Sequence, residues 1–280
     1  MDGAIIPVHG TIVAPIVVVG ATGTIGRAVV RRLIAAGRPV VAVARQPQKL
    51  AQLRAEISSP AIASIVGDIA SESDAEQLAE RLRDLERPLA GVVVTFPHGR
   101  SAEVGVDRGR LLDHSTAALG DCLKQTLLAQ HALARHLIPL LAESGRNARY
   151  VIVGGPGSET PWAGYGHRSV AMAATRMLVR VLHDEVRASG VRLQMVSIDS
   201  PVRNEEPGDH ECPEWPAASD VAHRVAQLVD PTTPHASTEA VVSCARGQAA
   251  CAIGRVTRAF QDVPSFLASI RNTTNKTAPQ

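Results

Sequence analysis

No stretch of this sequence holds the roughly 18 consecutive apolar residues that a membrane-spanning helix needs. The apolar segment Ile12 to Ile25 is broken by Pro15 and by glycines. An excess of one charge is also missing. Lys and Arg number 29 against 27 Asp and Glu, a formal net charge of +2. That is too little to point to nucleic acid or an anionic membrane, and neither is expected as a partner. The four cysteines, Cys122, Cys212, Cys244 and Cys251, have no metal-ligand spacing. No metal site is expected, and reduced thiols in a cytoplasm are the default. The N-terminus, MDGAIIPVHG, lacks the basic region of a signal peptide. There is no internal repeat and no low-complexity block. Aromatic residues make up only 2% of the chain, which makes the positions of Trp162 and Trp215 informative.

What the sequence does have is Pro15 to Val30, PIVVVGATGTIGRAVV. Four β-branched residues, Ile16 to Val19, run into a glycine-rich turn. Ile25, Val29 and Leu33 then recur at helical spacing. An apolar run without alternation suits a parallel strand covered on both faces. Strand, glycine turn and helix together form a phosphate cradle. Glycines let the backbone approach a pyrophosphate, and the helix start offers unpaired N–H groups and a positive dipole end. The expected contacts are Gly20, Thr22, Gly23, Thr24, Ile25 and Gly26.

The rest of the chain alternates in the same way. Strands are expected at 39–44, 61–66, 89–95, 149–154, 191–198 and 240–244. Helices are expected at 48–57, 73–85, 119–141, 165–188 and 218–228, the last started by Ser219 or Asp220. Alternation of this kind predicts an α/β fold, a doubly wound, Rossmann-type parallel sheet flanked by helices in a single domain. The domain is taken as 14–270, with an arm at 1–13 and a polar tail at 271–280. Residues 199–216, rich in Pro, Asp and Glu, read as a lid. Ligands bind at the carboxyl ends of such strands, which here carry Gly20, Arg45, Asp68, Thr95, Gly154 and Asp199.

In an NAD site an acid about 20 residues past the glycines bonds the ribose 2′-hydroxyl. Here the second strand ends Val43-Ala44-Arg45. A guanidinium in place of the acid can fork onto a 2′-phosphate, worth roughly 1.5–3 kcal/mol. The expected cofactor is therefore NADP(H).

The Gly20-Ala21-Thr22-Gly23-Thr24-Ile25-Gly26 turn resembles the GATGxIG turn of the short-chain dehydrogenase/reductase superfamily, in its extended and atypical members. The resemblance covers roughly Pro15 to Gly247. It implies that Asp68-Ile69 holds the adenine edge and that Thr95 lies beside the cofactor. It also implies a relay of Asn, Ser, Tyr and Lys that moves a proton to or from the substrate oxygen. Tyr165 stands at the tyrosine position, and four residues on the lysine is replaced by Ser169. Glycines occupy the usual serine place in Gly154-Gly155-Pro156-Gly157-Ser158, with Ser158 a few residues late. The asparagine position falls near Thr126, and the segment ending the fourth strand reads Thr95-Phe96-Pro97-His98-Gly99. The catalytic candidates are Tyr165, Ser158 and Ser169, with His98, His167 and Arg168 near the cleft. An ammonium about 4 Å away at an effective dielectric of about 20 is worth roughly 4 kcal/mol, about a thousandfold in a tyrosine's acidity. Without it a tyrosine can still give a proton in reduction but is a poor base for oxidation. Restoring the charge with Ser169→Lys should then raise activity.

The resemblance implies an NADP(H)-dependent oxidoreductase that reduces a carbonyl or conjugated carbonyl on a small apolar molecule. Trp162 and Trp215 are expected to wall the substrate. The alternatives are a catalytically degenerate NADP-binding sensor or structural protein, and a non-redox isomerase or lyase on the same fold. Family members commonly pair through the helices that start here near Leu119 and Tyr165, so a homodimer or homotetramer is expected.

Overall fold

The computed structural model describes residues 13–95, 109–145, 147–204, 213–233 and 237–244. They belong to one compact unit, residues 1–245. Seven strands form one parallel sheet: β1 (Ile16–Val19), β2 (Val40–Ala44), β3 (Ile62–Val66), β4 (Gly91–Thr95), β5 (Arg149–Val153), β6 (Arg192–Ser197) and β7 (Val241–Ser243). Their order is β3-β2-β1-β4-β5-β6-β7. The chain runs outward from β1 in one direction and returns to its other side at β4. The crevice between the carboxyl ends of β1 and β4 is therefore the switch point where such sheets bind ligands.

Around the sheet pack α1 (Thr24–Ala35), α2 (Pro47–Ile57), α3 (Glu72–Arg83), α4 (Thr116–Leu123), α5 (Ala129–Glu143), α6 (Gly166–Glu185) and α7 (Ala218–Val229). Successive strand residues point to opposite faces, so the run Ile16 to Val19 feeds two cores. Ile16 and Val18 pack with Val29 and Leu33 of α1, Leu50 and Leu53 of α2, and Val221 and Val225 of α7. Val17 and Val19 pack with Leu78 and Leu82 of α3, Leu133 and Leu137 of α5, and Val179 of α6. This explains the uninterrupted apolar run: neither face of the central strand meets water. No helix among the described residues is long and apolar enough to cross a membrane.

Local chemistry moves some boundaries. The helix expected over 119–141 begins at Thr116, because the Ser115 hydroxyl accepts the Ala118 N–H at 3.2 Å. It is also not continuous. A π-turn, Lys124–Leu128, separates α4 from α5, adding a residue that the apolar spacing conceals. The helix expected from Ser73 starts at Glu72, inside a capping box in which Ser71 and Asp74 accept each other's backbone N–H. Ala217, rather than Ser219 or Asp220, is the N-cap of α7; Asp220 instead accepts the Ala217 N–H at 3.2 Å. Much of the expected lid, 205–212, lies outside the described residues.

Candidate active site

A cleft of about 890 Å³ opens over the carboxyl ends of the central strands. One end lies over β1 to β3, the other over β5 and the start of α6. The glycine turn forms its floor. Gly20 has φ +80°, and a Cβ there would sit 2.1 Å from the Thr95 carbonyl oxygen. A Cβ on Gly26 would sit 2.2 Å from the Gly20 carbonyl oxygen. These two glycines are required by the protein's own backbone packing. Gly23 differs. It caps α1 with φ −76° and ψ 169°, open to any residue, and a Cβ there would find nothing nearer than 3.5 Å. Yet it lines the cleft beside the first N–H groups of α1. The space that its missing side chain leaves is the cradle a pyrophosphate would fill.

Thr95 is 4% exposed and donates to the Val19 carbonyl at 2.9 Å. It ties the end of β4 to β1 and so stiffens the turn from below. Arg45 is exposed at the end of β2 and lines the cleft. Lys49, four residues on in α2, lines it too. The sequence reading did not include Lys49; its signal was a second cation in the first turn of the helix that follows Arg45. Asp68 and Ile69 line the same end, and the Asp68 carboxylate accepts the Ile69 N–H at 2.7 Å.

The other end keeps less of what the relay requires. Tyr165 is the N-cap of α6. Its ring stacks on Trp162 with centroids 4.2 Å apart, and the Arg168 guanidinium lies 5.6 Å from its centroid. Trp162, His167 and Arg168 form cleft wall there, whereas Tyr165 does not. Ser169 is 8% exposed. Its hydroxyl accepts the Trp162 N–H at 2.8 Å and donates to the Tyr165 carbonyl at 3.2 Å. A Cβ on Gly157, at φ +97°, would lie 2.7 Å from the Ser169 hydroxyl. Ser169 thus pins a tightly packed loop at the position where the resemblance places a lysine. Ser158 is buried with its hydroxyl 3.2 Å from that of Ser197, which Arg176 also meets at 3.3 Å. Neither serine belongs to the cleft wall.

Thr126 and Gln125 of the π-turn line the cleft, with Asp121, Cys122 and His114 ahead of them. Trp215 does not: its carbonyl accepts from Arg203 at 3.1 Å, beside a short parallel bridge between Arg203 and Ala217. The wall is therefore furnished by Trp162, Met172, Pro201 and Val202. His98 and Cys212 fall outside the described residues. No metal-binding cluster exists among the described residues. The strongest shifts in acidity lie away from the cleft. Burial raises the Tyr150 phenol in the core of β5. Burial, then the neighbouring Arg192 charge, lowers the Arg149 guanidinium to about 10.

A family model described as short chain dehydrogenase matches residues 14–201. No curated protein matches the sequence. Solved structures do. A short chain oxidoreductase from Pseudomonas aeruginosa PAO1, described as containing an atypical catalytic center, aligns with TM-score 0.71 and 20% identity over 85% of this chain and 98% of its own. A short-chain dehydrogenase from Streptomyces avermitilis aligns with TM-score 0.67 and 19% identity over 95% and 98%. One from Mycobacterium smegmatis aligns with TM-score 0.66 and 22% identity over 87% and 97%. At these identities the structures show a shared fold, and with the family match they lead to one conclusion: this chain belongs to the short-chain dehydrogenase family.

Proposed function

We propose that the chain binds NADP(H) in this cleft and reduces a carbonyl or conjugated carbonyl group of a small apolar molecule. The observation that carries the cofactor reading is Arg45 at the end of β2, where an NAD site places an acid, with Lys49 beside it in the same wall. The open space over Gly23 fits a pyrophosphate approaching the first N–H groups of α1. Arg45 and Lys49 would hold the 2′-phosphate, and Asp68 and Ile69 the adenine edge. When bound, NADPH supplies a hydride. The chain's own part is to hold a carbonyl against the apolar wall of Trp162, Met172 and Val202 and to shield it from water. Calorimetry tests the cofactor reading: NADPH should bind at least about tenfold tighter than NADH, about 1.4 kcal/mol. Equal affinities sink it.

A second reading, a nucleotide-binding protein without turnover, is favoured by the placement of Tyr165, Ser158 and Ser169 off the cleft wall. Consumption of NADPH against a panel of ketones and enones decides between the two. We also read the exposed face of α6 as an interface between copies of the chain. Val170, Met177 and Val181, at helical spacing, are 41%, 56% and 47% exposed. Leu128 of the π-turn is 54% exposed. Light scattering should report a dimer or tetramer, and Met177→Glu should shift it toward monomer. A monomer at micromolar concentration contradicts this assignment.

A further inference from the structure

Reduction of a carbonyl consumes a proton, and Tyr165, Ser158 and Ser169 do not line the substrate end of the cleft. Two histidines do: His114 and His167. Histidine is the side chain that gains and loses a proton near neutrality. His114 directly follows the 3-10 turn Leu111–Asp113, and His167 is the second residue of α6. Two separate segments thus bring their rings together, with centroids 4.9 Å apart and planes tilted by 58°. His167 is 5% exposed, so packing holds it in place. Its backbone is held as well: its carbonyl accepts from the Cys122 thiol at 3.7 Å, and Ser169 clamps the turn that starts its helix. Nε2 of His114 is buried without a hydrogen-bond partner among the described residues. It lies over Gly109, where a Cβ would come within 3.1 Å of it. Packing alone seldom keeps a ring nitrogen in that condition.

We propose that His167, positioned by His114, delivers the proton that Tyr165 would deliver in the family's relay. The proposal rests on the carbonyl-reductase reading given above. A bound reduced nicotinamide would supply the hydride for the new C–H bond at the carbonyl carbon and would itself be left oxidised. The C=O π pair moves to oxygen and takes the imidazolium proton, forming O–H, while the nitrogen keeps the N–H bonding pair. Solvent then returns a proton to the ring. The charged groups of that wall are Arg168, the next residue of α6, and Asp121 of α4, which meets Lys124 at 3.7 Å. Cys122 completes the titratable groups of that wall, and Arg110 and Asp113 flank His114 in the chain.

The test has a readout that needs neither cofactor nor turnover. Histidine-ring NMR of the protein alone, titrated from pH 5 to 9, should show a His167 midpoint that moves by about half a pH unit or more in His114→Gln. An unmoved midpoint overturns the coupling of the pair. With NADPH and a reducible carbonyl, kcat of the native protein should fall as pH rises through the histidine midpoint. His167→Gln and His167→Asn should each lower kcat about a hundredfold or more and abolish that fall. His114→Gln should move the midpoint of the profile with a smaller loss. If both His167 variants keep the profile while Tyr165→Phe abolishes turnover, the proposal is wrong and the cofactor reading survives. If NADPH does not bind the native protein, the cofactor reading fails and this proposal with it.

Discussion

The two ends of the cleft are built from different materials. Over β1 to β3 the floor of the cleft is largely main chain, a turn shaped by Gly20 and Gly26 and the first N–H groups of α1, braced by the Thr95 side chain and flanked by Arg45 and Lys49. Over β5 and α6 the expected relay consists of side chains alone, and the chain has a serine, glycines and a threonine where lysine, serine and asparagine would stand. Backbone geometry is secured by many contacts at once. Side-chain chemistry is lost with a single replacement, and the space is then taken by packing, as Ser169 shows. A fold can therefore keep its glycine turn while the side chains at the far end of the cleft change.

The largest effect expected from this contrast is at Gly20. Gly20→Val combines positive φ with a clash into the Thr95 carbonyl and should cost about 3 kcal/mol or more, measured by urea unfolding. Gly23→Ala, three residues on, should leave stability within about 0.5 kcal/mol while weakening NADPH at least about tenfold. Equal effects of the two on stability would erase the distinction between a glycine the protein needs and one a ligand needs.

Next comes Ser169→Lys. Placing an ammonium at a buried position against Gly157 should cost about 2 kcal/mol and leave alcohol oxidation no faster. A variant that stays stable and oxidises alcohols would show that the relay can still be assembled, and the contrast between the two ends would collapse. Arg45→Ala should then remove most of the preference for NADPH over NADH, about tenfold to a hundredfold by calorimetry, with unchanged melting temperature. A preference that persists would transfer the role to Lys49.

The smallest effect serves as a control away from the cleft. Arg38, ahead of β2, forks onto Asp230 beyond α7, and the pair is partly buried. Burial alone would raise the Asp230 carboxyl, but hydrogen bonds from Arg38 and Thr232 outweigh it, and its pKa is lowered. Its stabilisation is therefore present above the unfolded carboxylate value of about 3.9 and is lost as pH falls through the lowered native value. Asp230→Asn should cost about 1 kcal/mol at neutral pH, progressively less in acid, without changing NADPH affinity. An altered affinity would mean that the cradle depends on the opposite end of the strands.

The sheet was legible because its signal is local and repeated. Unbroken β-branched runs such as Ile16 to Val19, glycine turns, and apolar residues at helical spacing each specify one element, and their alternation specifies parallel strands. The π-turn at Lys124–Leu128 was not, because one added residue barely disturbs an apolar stripe. Lys49 was missed because a cation on the first turn of a helix looks like any solvated surface residue.

The sequence by itself determined the parallel sheet, the glycine turn and the arginine at the end of the second strand, all consequences of neighbours within a few residues. Tertiary structure decided which side chains reach the cleft and which are drawn away from it. It turned Tyr165 onto Trp162, buried Ser158 against Ser197 and set His167 beside His114. The last two pairings join separate segments, 39 and 53 positions apart in the chain. Their geometry follows from how loops pack on the end of the sheet, which no local pattern of residues encodes.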